Sequence, residues 1–438
     1  MAVLGEETQI TCRFTTKLPK EYRVPPSTVA VPSQLTRYGL SQIINHLLAL
    51  EPARPFDFLV KGELVRQKLE QFLLAHEISA ETVLEIEYIF AVEPAKPEQK
   101  HPHNDWVSAV AARAGCILSG SYDGTVKAWH GAELRSTTTL HRGPVTAVAV
   151  LPEAQGALAL TGGQDTALLL SSIPALSAGA ADNGASAAAQ PLVAYREHTD
   201  AVNSIAVSPE GTLFASASWD SSLRIWPTGS AIAERAADES AAAAHEAGAK
   251  KAKKGSTGAA APTAPLVEAS KQELGGHSQS VSSVAWPAPE TIVSGSWDNT
   301  VRRWDAEMCT CTERHDGAKP VYSVAAAPAG LQLVAFGGAE RALHIWDPRT
   351  PTGKEKDQKL YSSHTDWISS VAWHPTSEHH VVSASYDTTL KLWDIRASIP
   401  LHTLEGHTEK VLCVAWSGPN AMVSGGADCL LQTYSVAL

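Results

Sequence analysis

A ten-residue motif that returns seven times places the strongest constraint on the fold of this chain. Each copy has small or hydroxyl residues before an acidic residue, and most have an aromatic residue six positions after the acid. The copies are GSYDGTVKAW (120–129), GGQDTALLLS (162–171), ASWDSSLRIW (217–226), GSWDNTVRRW (295–304), GGAERALHIW (337–346), ASYDTTLKLW (384–393) and GGADCLLQTY (425–434). The acidic positions are separated by 42, 55, 78, 42, 47 and 41 residues. A period of about 40 residues is typical of proteins built from repeated small sheets, and the two long gaps contain insertions.

A histidine accompanies the acid in six repeats, four positions before a β-branched residue and 20–24 residues before the acid. Alternating runs such as TIVSGSW (291–297) lie between them and predict strands. A buried carboxylate at a strand turn can accept hydrogen bonds from turn amides and from the histidine, and an indole can extend the network. We therefore predict a structural network in each repeat, formed by His103, Asp123 and Trp129; His141 and Asp165; His198, Asp220 and Trp226; His277, Asp298 and Trp304; His364, Asp387 and Trp393; and His407 and Asp428.

Some repeats depart from this pattern. The fifth has Gly317 in place of the histidine and Glu340 in place of the aspartate, the second has Ser171 in place of the tryptophan, and the seventh has Tyr434. We expect these repeats to rely more on apolar packing. A Ser-His-Asp catalytic triad is the alternative interpretation of the recurring residues, but an enzyme needs a triad once and not at every repeat.

The repeats resemble the WD40 β-propeller over about residues 100–438, which implies seven four-stranded blades around a central channel. The last repeat shows three strands, so its fourth is expected from residues 92–102, which would close the ring and remove a free sheet edge. We predict a mainly β chain with a propeller over residues 93–438. Two segments rich in small residues, 174–191 and 228–272, are predicted to be disordered, the second rejoining before Leu274 at the start of the fourth blade.

The first 92 residues carry no such repeat. Alternating or apolar runs at 8–16, 22–32, 56–65 and 83–91 predict strands, and 40–50 and 69–79 predict helices, with Ser41 near the start of the first. The order of these elements predicts a ubiquitin-like β-grasp domain over residues 1–92, with a modest core.

This domain followed by a propeller, with RYGLSQIINHLL, PFDFLVKGELVR, SAETVLEIEY and NDWVSAV in that order, resembles the WD-repeat protein 12 family, whose N-terminal domain is Notchless-like. The resemblance implies a non-enzymatic assembly factor for the large (60S) ribosomal subunit and pre-rRNA processing, located in the nucleolus and nucleoplasm. It also implies that the propeller binds a Bop-type WD40 protein in a complex with Pescadillo (PeBoW). The β-grasp domain is then bound by the metal-ion-dependent adhesion site (MIDAS) of the AAA ATPase midasin, which releases the factor from pre-60S particles.

In that family an acidic residue in the loop before the last β-grasp strand completes the coordination of the MIDAS metal. The matching residue here is Glu81, with Glu77 and Glu85 as fallback candidates. A carboxylate suits this role because Mg²⁺ prefers oxygen ligands. The chain itself is expected to hold no metal or cofactor; Mg²⁺ would be held by the partner only.

The residue before each acid is expected at a strand turn on one face of the propeller. Four of these residues are aromatic, Tyr122, Trp219, Trp297 and Tyr386, and the others are Gln164, Ala339 and Ala427. The aromatics are candidate interface anchors, since aromatic residues dominate interface hot spots, or they pack on the turn. The cluster Lys250, Lys251, Lys253 and Lys254 is a nuclear localisation signal, an RNA contact or a solvated charge run.

Other function classes find little support. A net charge of −11 argues against electrostatic binding of nucleic acid or anionic lipid by the whole surface. The sequence is also expected to contain no secretory signal and no membrane-spanning run. The six cysteines predict reduced thiols; Cys309 and Cys311 lack a second ligand pair, and His101 and His103 are too isolated for a metal site. Two alternatives remain: a WD40 adaptor such as a ubiquitin-ligase substrate receptor, and a Notchless-type midasin ligand, which is expected to carry an extra repeat.

Overall fold

The computed structural model describes residues 9–79, 82–113, 115–131, 133–152, 158–173, 189–228, 266–328, 330–350 and 358–438. The chain divides into one compact unit built around residues 1–94 and a second built around residues 95–436. Each unit is described by itself.

The described part of the N-terminal unit forms a five-stranded sheet in the order β2-β1-β5-β3-β4, with two helices. Its elements are β1 (Gln9–Thr15), a 3₁₀ turn (Lys20–Tyr22), β2 (Thr28–Pro32), α1 (Arg37–Leu48), β3 (Phe56–Val60), β4 (Glu63–Leu64), α2 (Leu69–Ala75) and β5 (Leu84–Phe90). Strands β1 and β5 pair in parallel, and the other neighbours pair antiparallel. This is the predicted β-grasp arrangement.

The strand pattern follows from two features of the sequence. Alternate residues of β1, Ile10, Cys12 and Phe14, point into the apolar core, and the residues between them are exposed. The hairpin between β3 and β4 turns at Lys61 and Gly62, whose φ angles are +51° and +83°. Two positive φ angles are what a two-residue hairpin turn requires, and glycine adopts them without strain.

Helix α1 begins at Arg37, earlier than the predicted start near Leu40. Its buried face includes Leu40 and Ile44, as the helical spacing predicts. Ser41, predicted near the helix start, is instead an interior residue whose hydroxyl accepts the N–H of Phe56 at 3.1 Å. Its side chain therefore satisfies a buried backbone group of β3 rather than capping the helix.

The second unit is built from small antiparallel sheets, named blades one to seven in chain order. From the inner to the outer strand, blade one has β7 (Val107–Arg113), β8 (Cys116–Ser121), β9 (Thr125–His130) and β10 (Glu133–Thr139). Blade two has β11 (Val145–Val150), β12 (Leu158–Gly163), β13 (Leu168–Ser172) and β14 (Gln190–Tyr195), with β18 (Leu266–Glu268) added outside β14. Blade three has β15 (Val202–Val207), β16 (Leu213–Ser218), β17 (Leu223–Pro227) and β19 (Gln272–Leu274).

The remaining blades follow the same plan. Blade four has β20 (Val281–Ala288), β21 (Thr291–Ser296), β22 (Thr300–Asp305) and β23 (Thr310–Asp316). Blade five has β24 (Val321–Ala326), β25 (Val334–Gly338), β26 (Ala342–Trp346) and β27 (Gln358–Ser362). Blade six has β28 (Ile368–Trp373), β29 (His380–Ser385), β30 (Thr389–Asp394) and β31 (His402–Glu405). Blade seven has β32 (Val411–Gly418), β33 (Ala421–Gly426), β34 (Leu430–Ser435) and, as its outer strand, β6 (Lys96–Pro102).

The blades form a closed ring. Each inner strand contacts the inner strand of the next blade, and β32 of blade seven contacts β7 of blade one. The ring closes where β6, from the start of the unit, pairs antiparallel with β34 near its end. The predicted fold class, a mainly β chain with a WD40 propeller and a β-grasp domain, is confirmed.

Two kinds of contact join neighbouring blades. A β-branched residue at the start of each inner strand packs where the preceding blade has a glycine or alanine. At five junctions a Cβ on the glycine would lie 2.5–2.9 Å from that side chain, as for Gly120 and Val145, Gly162 and Val202, Gly295 and Val321, Gly337 and Ile368, and Gly425 and Val107. A larger residue would force the blades apart.

The second contact is a hydrogen bond across the junction, which we call the inner staple. At five of the seven junctions, the residue after the β-branched one donates to the carbonyl of the β-branched residue in the next blade. The donor and acceptor pairs are Ser108 and Val145, Thr146 and Val202, Asn203 and Val281, Ser282 and Val321, and Ser369 and Val411. These side chains satisfy carbonyls that face a neighbouring blade and not a neighbouring strand.

The predicted disordered segments 174–191 and 228–272 lie mostly outside the described residues, but their ends are ordered, which corrects the prediction. Residues 190–191 belong to β14, and Leu266–Glu268 pairs in parallel with β14. Gln272–Leu274 is the outer strand of blade three and not the start of blade four. The backbone groups of these short segments find partners on sheet edges, which composition alone does not indicate.

Removing one inner staple should weaken the ring. Ser282→Ala leaves the carbonyls of Val321 and Gly295 without their hydroxyl donor, now at 2.6 and 2.9 Å. We expect the free energy of unfolding to fall by about 1–2 kcal/mol, measured by urea titration of tryptophan fluorescence. Ser278→Ala, at an exposed position in the same blade, should change it by less than about 0.5 kcal/mol. Equal effects of the two changes would contradict a role for the staple.

Candidate interaction sites

The predicted histidine–aspartate pairs form hydrogen bonds in five blades. Histidine Nδ1 lies 2.7–2.9 Å from the aspartate carboxylate, and Nε2 lies 2.7–2.9 Å from a strand hydroxyl. The pairs are His141 and Asp165, His198 and Asp220, His277 and Asp298, His364 and Asp387, and His407 and Asp428. Each carboxylate also accepts the backbone N–H after its histidine, so it joins two loops of one blade.

Blade four shows the complete network. Ser294 Oγ accepts a hydrogen bond from Trp304 Nε1 at 2.8 Å, and His277 Nε2 lies 2.8 Å from the same oxygen. Burial raises the pKa of Asp298, but the hydrogen bonds from His277 and Thr300 outweigh it and hold the pKa below its ordinary value. The His277 side chain has no exposed surface. Because the ring nitrogens are engaged and closed to solvent, this geometry stabilises the blade and offers no group to a substrate.

Blade one differs from the prediction. His103 Nε2 and Trp129 Nε1 each lie 2.9 Å from Ser119 Oγ. His103 Nδ1, however, faces the carbonyl of His101 at 3.4 Å, and Asp123 accepts the N–H and hydroxyl of Thr125. No hydrogen bond is found between His103 and Asp123, although the structure describes both. The predicted pairing is therefore wrong in this blade, because His103 Nδ1 is turned to a different acceptor.

In the other repeats that depart from the pattern, aromatic packing takes the place of the missing hydrogen bonds. In blade two Tyr195 stacks edge-on against Phe214 and Trp226, with centroids 5.0 and 5.3 Å away. In blade five the ring of His344 stacks on Phe336 at 4.7 Å, and Glu340 lies 3.1 Å from His344 Nε2. Blades three and six keep the predicted tryptophan. Trp226 Nε1 donates to Ser216 Oγ at 2.8 Å, and Trp393 is fully buried. Tyr434 of blade seven donates to Gln432 at 3.0 Å.

A chain of aromatic rings lies on one face of the ring, on the turns that carry the aspartates and on the neighbouring segments that begin the inner strands. It runs over blades three to six, with successive ring centroids 5.6–6.0 Å apart. We call it the aromatic arc; its members are Trp219, Trp297, Tyr322, Trp367 and Tyr386. The three tryptophans are 48%, 41% and 41% exposed, so they do not merely pack on their turns. A half-exposed row of large rings is unusual on a surface that has no partner.

Sequence reasoning found only part of this surface. Trp219, Trp297 and Tyr386 were predicted, and Tyr122 forms a separate pair with Trp106 at 5.3 Å. The prediction missed Trp106, Tyr322 and Trp367. The missed tryptophans stand three residues after the network histidine, and their carbonyls accept the N–H of Tyr122 and Tyr386. The residue before the acid and the residue three positions after the histidine are therefore neighbours in every blade. The spacing of the repeats is consistent with this contact, but it does not reveal it without the structure.

Small and charged residues border the arc. Ala339 and Ala427 occupy the equivalent turn in blades five and seven, and Gln164 occupies it in blade two. Asp200 and Asp366 lie in the adjoining loops, where they accept the N–H of the next residue at 2.7 and 2.8 Å. At the blade-seven end, Lys410 Nζ lies 4.7 Å from the ring centre of Tyr386. The surface therefore combines aromatic faces with carboxylates.

Two predicted sites fall outside the described residues: Glu81, and the cluster Lys250, Lys251, Lys253 and Lys254. The fallback residues are described. Glu77 is exposed with a positive φ of 51°, and Glu85 lies on β5 with its carboxylate 3.6 Å from Arg13. In the sequence Glu81 lies between α2, which ends at Ala75, and β5, which begins at Leu84.

The described part of the chain contains no group of three or more His, Cys, Asp or Glu arranged to hold a metal ion. Within the same residues, no helix combines the length and the apolar character that crossing a membrane requires.

Comparison with known proteins places both domains. Residues 10–73 match the family model of the NLE (NUC135) domain. Five segments match the WD domain, G-beta repeat: 96–130, 189–227, 269–305, 355–394 and 398–435. These five segments fall mainly on blades one, three, four, six and seven.

Full-length relatives share both domains. The chain is 43% identical to the ribosome biogenesis protein WDR12 homolog of Chlamydomonas reinhardtii, over 98% of each chain. It is 38% identical to the homolog of Oryza sativa, over 97% of this chain and 95% of that protein. The homolog of Arabidopsis thaliana is 37% identical over 99% of each chain.

Buried His103 predicts acid sensitivity. Burial, followed by the charge of Lys127, lowers the pKa of His103 from 6.5 to about 4. Because the unfolded chain binds this proton more readily, the stability from neutral His103 is complete above about pH 6.5 and declines as the pH falls towards 4. The free energy of unfolding decreases between pH 6.5 and pH 4, and we expect this decrease to be smaller in His103→Gln than in wild type by about 1–3 kcal/mol. Urea titrations across this range measure it; exposed His130→Gln is the control, and an unchanged slope in His103→Gln would refute the assignment.

Proposed function

The chain belongs to the family of the ribosome biogenesis protein WDR12 homologs, and from this premise we propose that it is a non-enzymatic assembly factor of the large ribosomal subunit. Its propeller docks it onto the pre-60S particle, in a complex with a Bop-type WD40 protein and Pescadillo. Its β-grasp domain is the point at which midasin removes it. It acts in the nucleolus and nucleoplasm.

The aromatic arc supports the part of this proposal in which the propeller docks the chain onto its partner. The main chain that carries three of its rings is held in place, since the backbone N–H groups of Trp219, Trp297 and Tyr386 donate to carbonyls of the adjoining loop at 2.9–3.0 Å. Rigid aromatic side chains gain apolar contact with little loss of conformational entropy, which suits interface anchors. Asp200 and Asp366 would complement basic groups on the partner, and such charges steer association more than they add affinity.

The position of Glu81 supports the release half. The residue stands three positions before Leu84, where β5 begins. Strand β5 is the centre of the sheet and pairs with both β1 and β3. A metal bond made in trans by Glu81 would therefore act on the chain three residues before the central strand of the domain, so that a pull on one carboxylate is passed to the sheet.

The cluster from Lys250 to Lys254 is proposed as a nuclear import signal, with direct contact to RNA as the other use of the same charge. The proposed localisation agrees with a role in ribosome biogenesis. A Notchless-type chain is expected to carry an extra repeat, whereas the described residues close a ring of seven blades. An adaptor of a ubiquitin ligase would use the same arc, so co-purification decides: recovery of a cullin without Pescadillo and the Bop-type protein would favour the adaptor.

Glu81→Gln should abolish binding to the midasin MIDAS domain in the presence of Mg²⁺, because an amide cannot supply the anionic ligand oxygen. The measurement is a titration by isothermal calorimetry. Glu85→Gln is the matched control, since it removes the carboxylate four positions further along the chain, on β5, and should retain binding. If Glu81→Gln binds as wild type does, the ligand is another residue.

Trp219→Ala combined with Trp297→Ala should weaken the complex with the Bop-type protein by at least about 100-fold, because two hot-spot anchors each contribute about 2 kcal/mol or more. Surface plasmon resonance with the purified partner measures the change, and an unchanged melting temperature shows that the ring is intact. Leu360→Ala, which truncates a 53% exposed residue outside the arc, is the control. Wild-type affinity of the double variant would remove the arc from the interface.

A further inference from the structure

We propose that Ser270 is a phosphorylation site, and that a phosphoryl group on it releases β18 from the edge of blade two. Ser270 lies between β18 and β19, on the stretch that leads from the long insertion back into blade three. It belongs neither to the aromatic arc nor to the histidine–aspartate networks. The inference is independent of the partners proposed for the propeller and for the β-grasp domain.

The first observation is a polar cluster around the Ser270 side chain, which we call the rim cluster; its members are Glu197, Arg224, Ser270 and Glu273. The Ser270 backbone N–H donates to Glu197 Oε1 at 3.1 Å, and its hydroxyl donates to Glu197 Oε2. Arg224 Nη1 donates to Ser270 Oγ at 3.1 Å and to Glu197 Oε2 at 2.5 Å. Arg224 Nη2 donates to Glu273 Oε2 at 2.8 Å. The Ser270 hydroxyl thus lies between a carboxylate and a guanidinium.

The charge on Glu197 depends on this hydroxyl. The hydrogen bond from the Ser270 side chain is the largest influence on the Glu197 carboxyl and holds its pKa below its ordinary value. Glu197 is therefore ionised at neutral pH. A second anion at the position of the hydroxyl would meet a full negative charge at hydrogen-bonding distance.

The second observation is that the rim cluster fastens a segment with few other supports. Strand β18 has three residues and pairs with β14 at three positions. Its central residue, Val267, is 73% exposed, so its burial contributes little. Glu197 stands two residues after the end of β14 at Tyr195. The two bonds from Ser270 to Glu197 therefore hold the end of β18 beside the end of the strand with which it pairs.

The third observation is the sequence VEASKQEL (267–274) around this serine. A carboxylate stands three positions after the serine, at Glu273, and another two positions before it, at Glu268. No proline follows the serine, and no arginine or lysine occupies the three positions before it. Protein kinases select substrates by patterns of charge. This pattern fits a kinase whose substrate groove is basic and does not fit proline-directed or basic-directed kinases.

The segment is also accessible. Val267, Ala269, Lys271 and Gln272 are exposed, and Ser270 is partly buried. A short edge strand with exposed backbone neighbours opens locally at a much lower free energy than the whole domain. A kinase can therefore reach the hydroxyl without unfolding the blade.

The reaction is a phosphoryl transfer from ATP. Ser270 Oγ forms a bond to the γ-phosphorus, and the bond from that phosphorus to the oxygen bridging to the β-phosphorus breaks, so ADP leaves with the electron pair. The hydroxyl proton passes to the catalytic base of the kinase. No group is oxidised or reduced, and ATP and the kinase are the only co-reactants.

The balance of charges in the rim cluster sets the consequence. A phosphoserine carries about −1.5 to −2 charges at pH 7 and has lost the proton that bonded to Glu197. The new charge lies beside Glu197 and near Glu273, and the cluster offers one guanidinium, Arg224, to all three anions. The nearest other cations in the sequence, Arg196 and Lys271, are exposed, so solvent screens them. Repulsion therefore separates Ser270 from Glu197, and β18 leaves the edge of β14.

Phosphorylation of the full chain tests the acceptor. The protein is incubated with casein kinase II, ATP and Mg²⁺, and the modified residues are located by peptide mass spectrometry. The free peptide LVEASKQELGG (266–276) tests the sequence apart from the fold, and the same peptide with Glu273→Gln should react at least about tenfold more slowly. We expect phosphate on Ser270 in the peptide and in the full chain, and none on this tryptic fragment in Ser270→Ala. An unmodified peptide, or a full chain that stays unmodified at Ser270, overturns the proposal.

Hydrogen exchange tests the consequence without a kinase. Phosphoserine is incorporated at position 270 during translation, and the backbone amides of residues 267–274 should then exchange at least about tenfold faster than in the unmodified chain. The amides of β23 in blade four should not change. Glu197→Gln is the matched control, because its amide can donate to the phosphate in place of repelling it, and it should restore most of the protection. Unchanged exchange over residues 267–274, or the same loss of protection with Glu197→Gln, would show that the phosphate does not act through the rim cluster.

Discussion

The ring depends on the contact between the first residue of each inner strand and the blade before it. A β-branched side chain enters the space left by a glycine or alanine, and at five of the seven junctions its carbonyl accepts a hydrogen bond from a serine, threonine or asparagine of that blade. Where both occur they depend on the same close approach: at Gly295 a Cβ would lie 2.7 Å from Val321, and a displaced Val321 would carry its carbonyl away from the hydroxyl of Ser282. The angle between blades is therefore fixed where the strands are most crowded.

The histidine–aspartate network acts within a blade rather than between blades. It ties the loop before the inner strand to the turn after the second strand, and both segments lie on one face of the ring. The same backbone geometry places the residue before each aspartate beside the residue three positions after each histidine. A structural network and a row of side chains available to a partner are thus produced by one repeat. This explains why a chain can keep the network nearly constant while blades three to six carry aromatic residues and blade two carries Gln164.

How much the sequence could predict follows from what repeats. The spacing of the acids and histidines predicted the propeller, the outer position of β6 and the partners of five histidines. It could do so because a feature that recurs in the repeats is tested several times within one sequence. It failed where a single blade differs. The turn of His103 towards the His101 carbonyl depends on the local conformation of residues 101–103, and the pairing of Leu266–Glu268 with β14 depends on a sheet edge remote in sequence. Tyr322 was missed because it stands in an inner strand, where the other described blades have no aromatic residue at the same position, and only the fold brings it between Trp297 and Trp367.

The order of the two domains leaves the closing strand of the ring at the start of the propeller segment. Strand β6 follows the β-grasp domain after five residues and pairs with β34, more than 300 residues further along the chain. Each repeat can form its own hairpins from neighbouring residues, but the last blade is complete only when both ends of the propeller segment meet, which is a contact of high sequence separation. The repeat spacing therefore predicts this pairing only indirectly, through the fourth strand that the last repeat lacks.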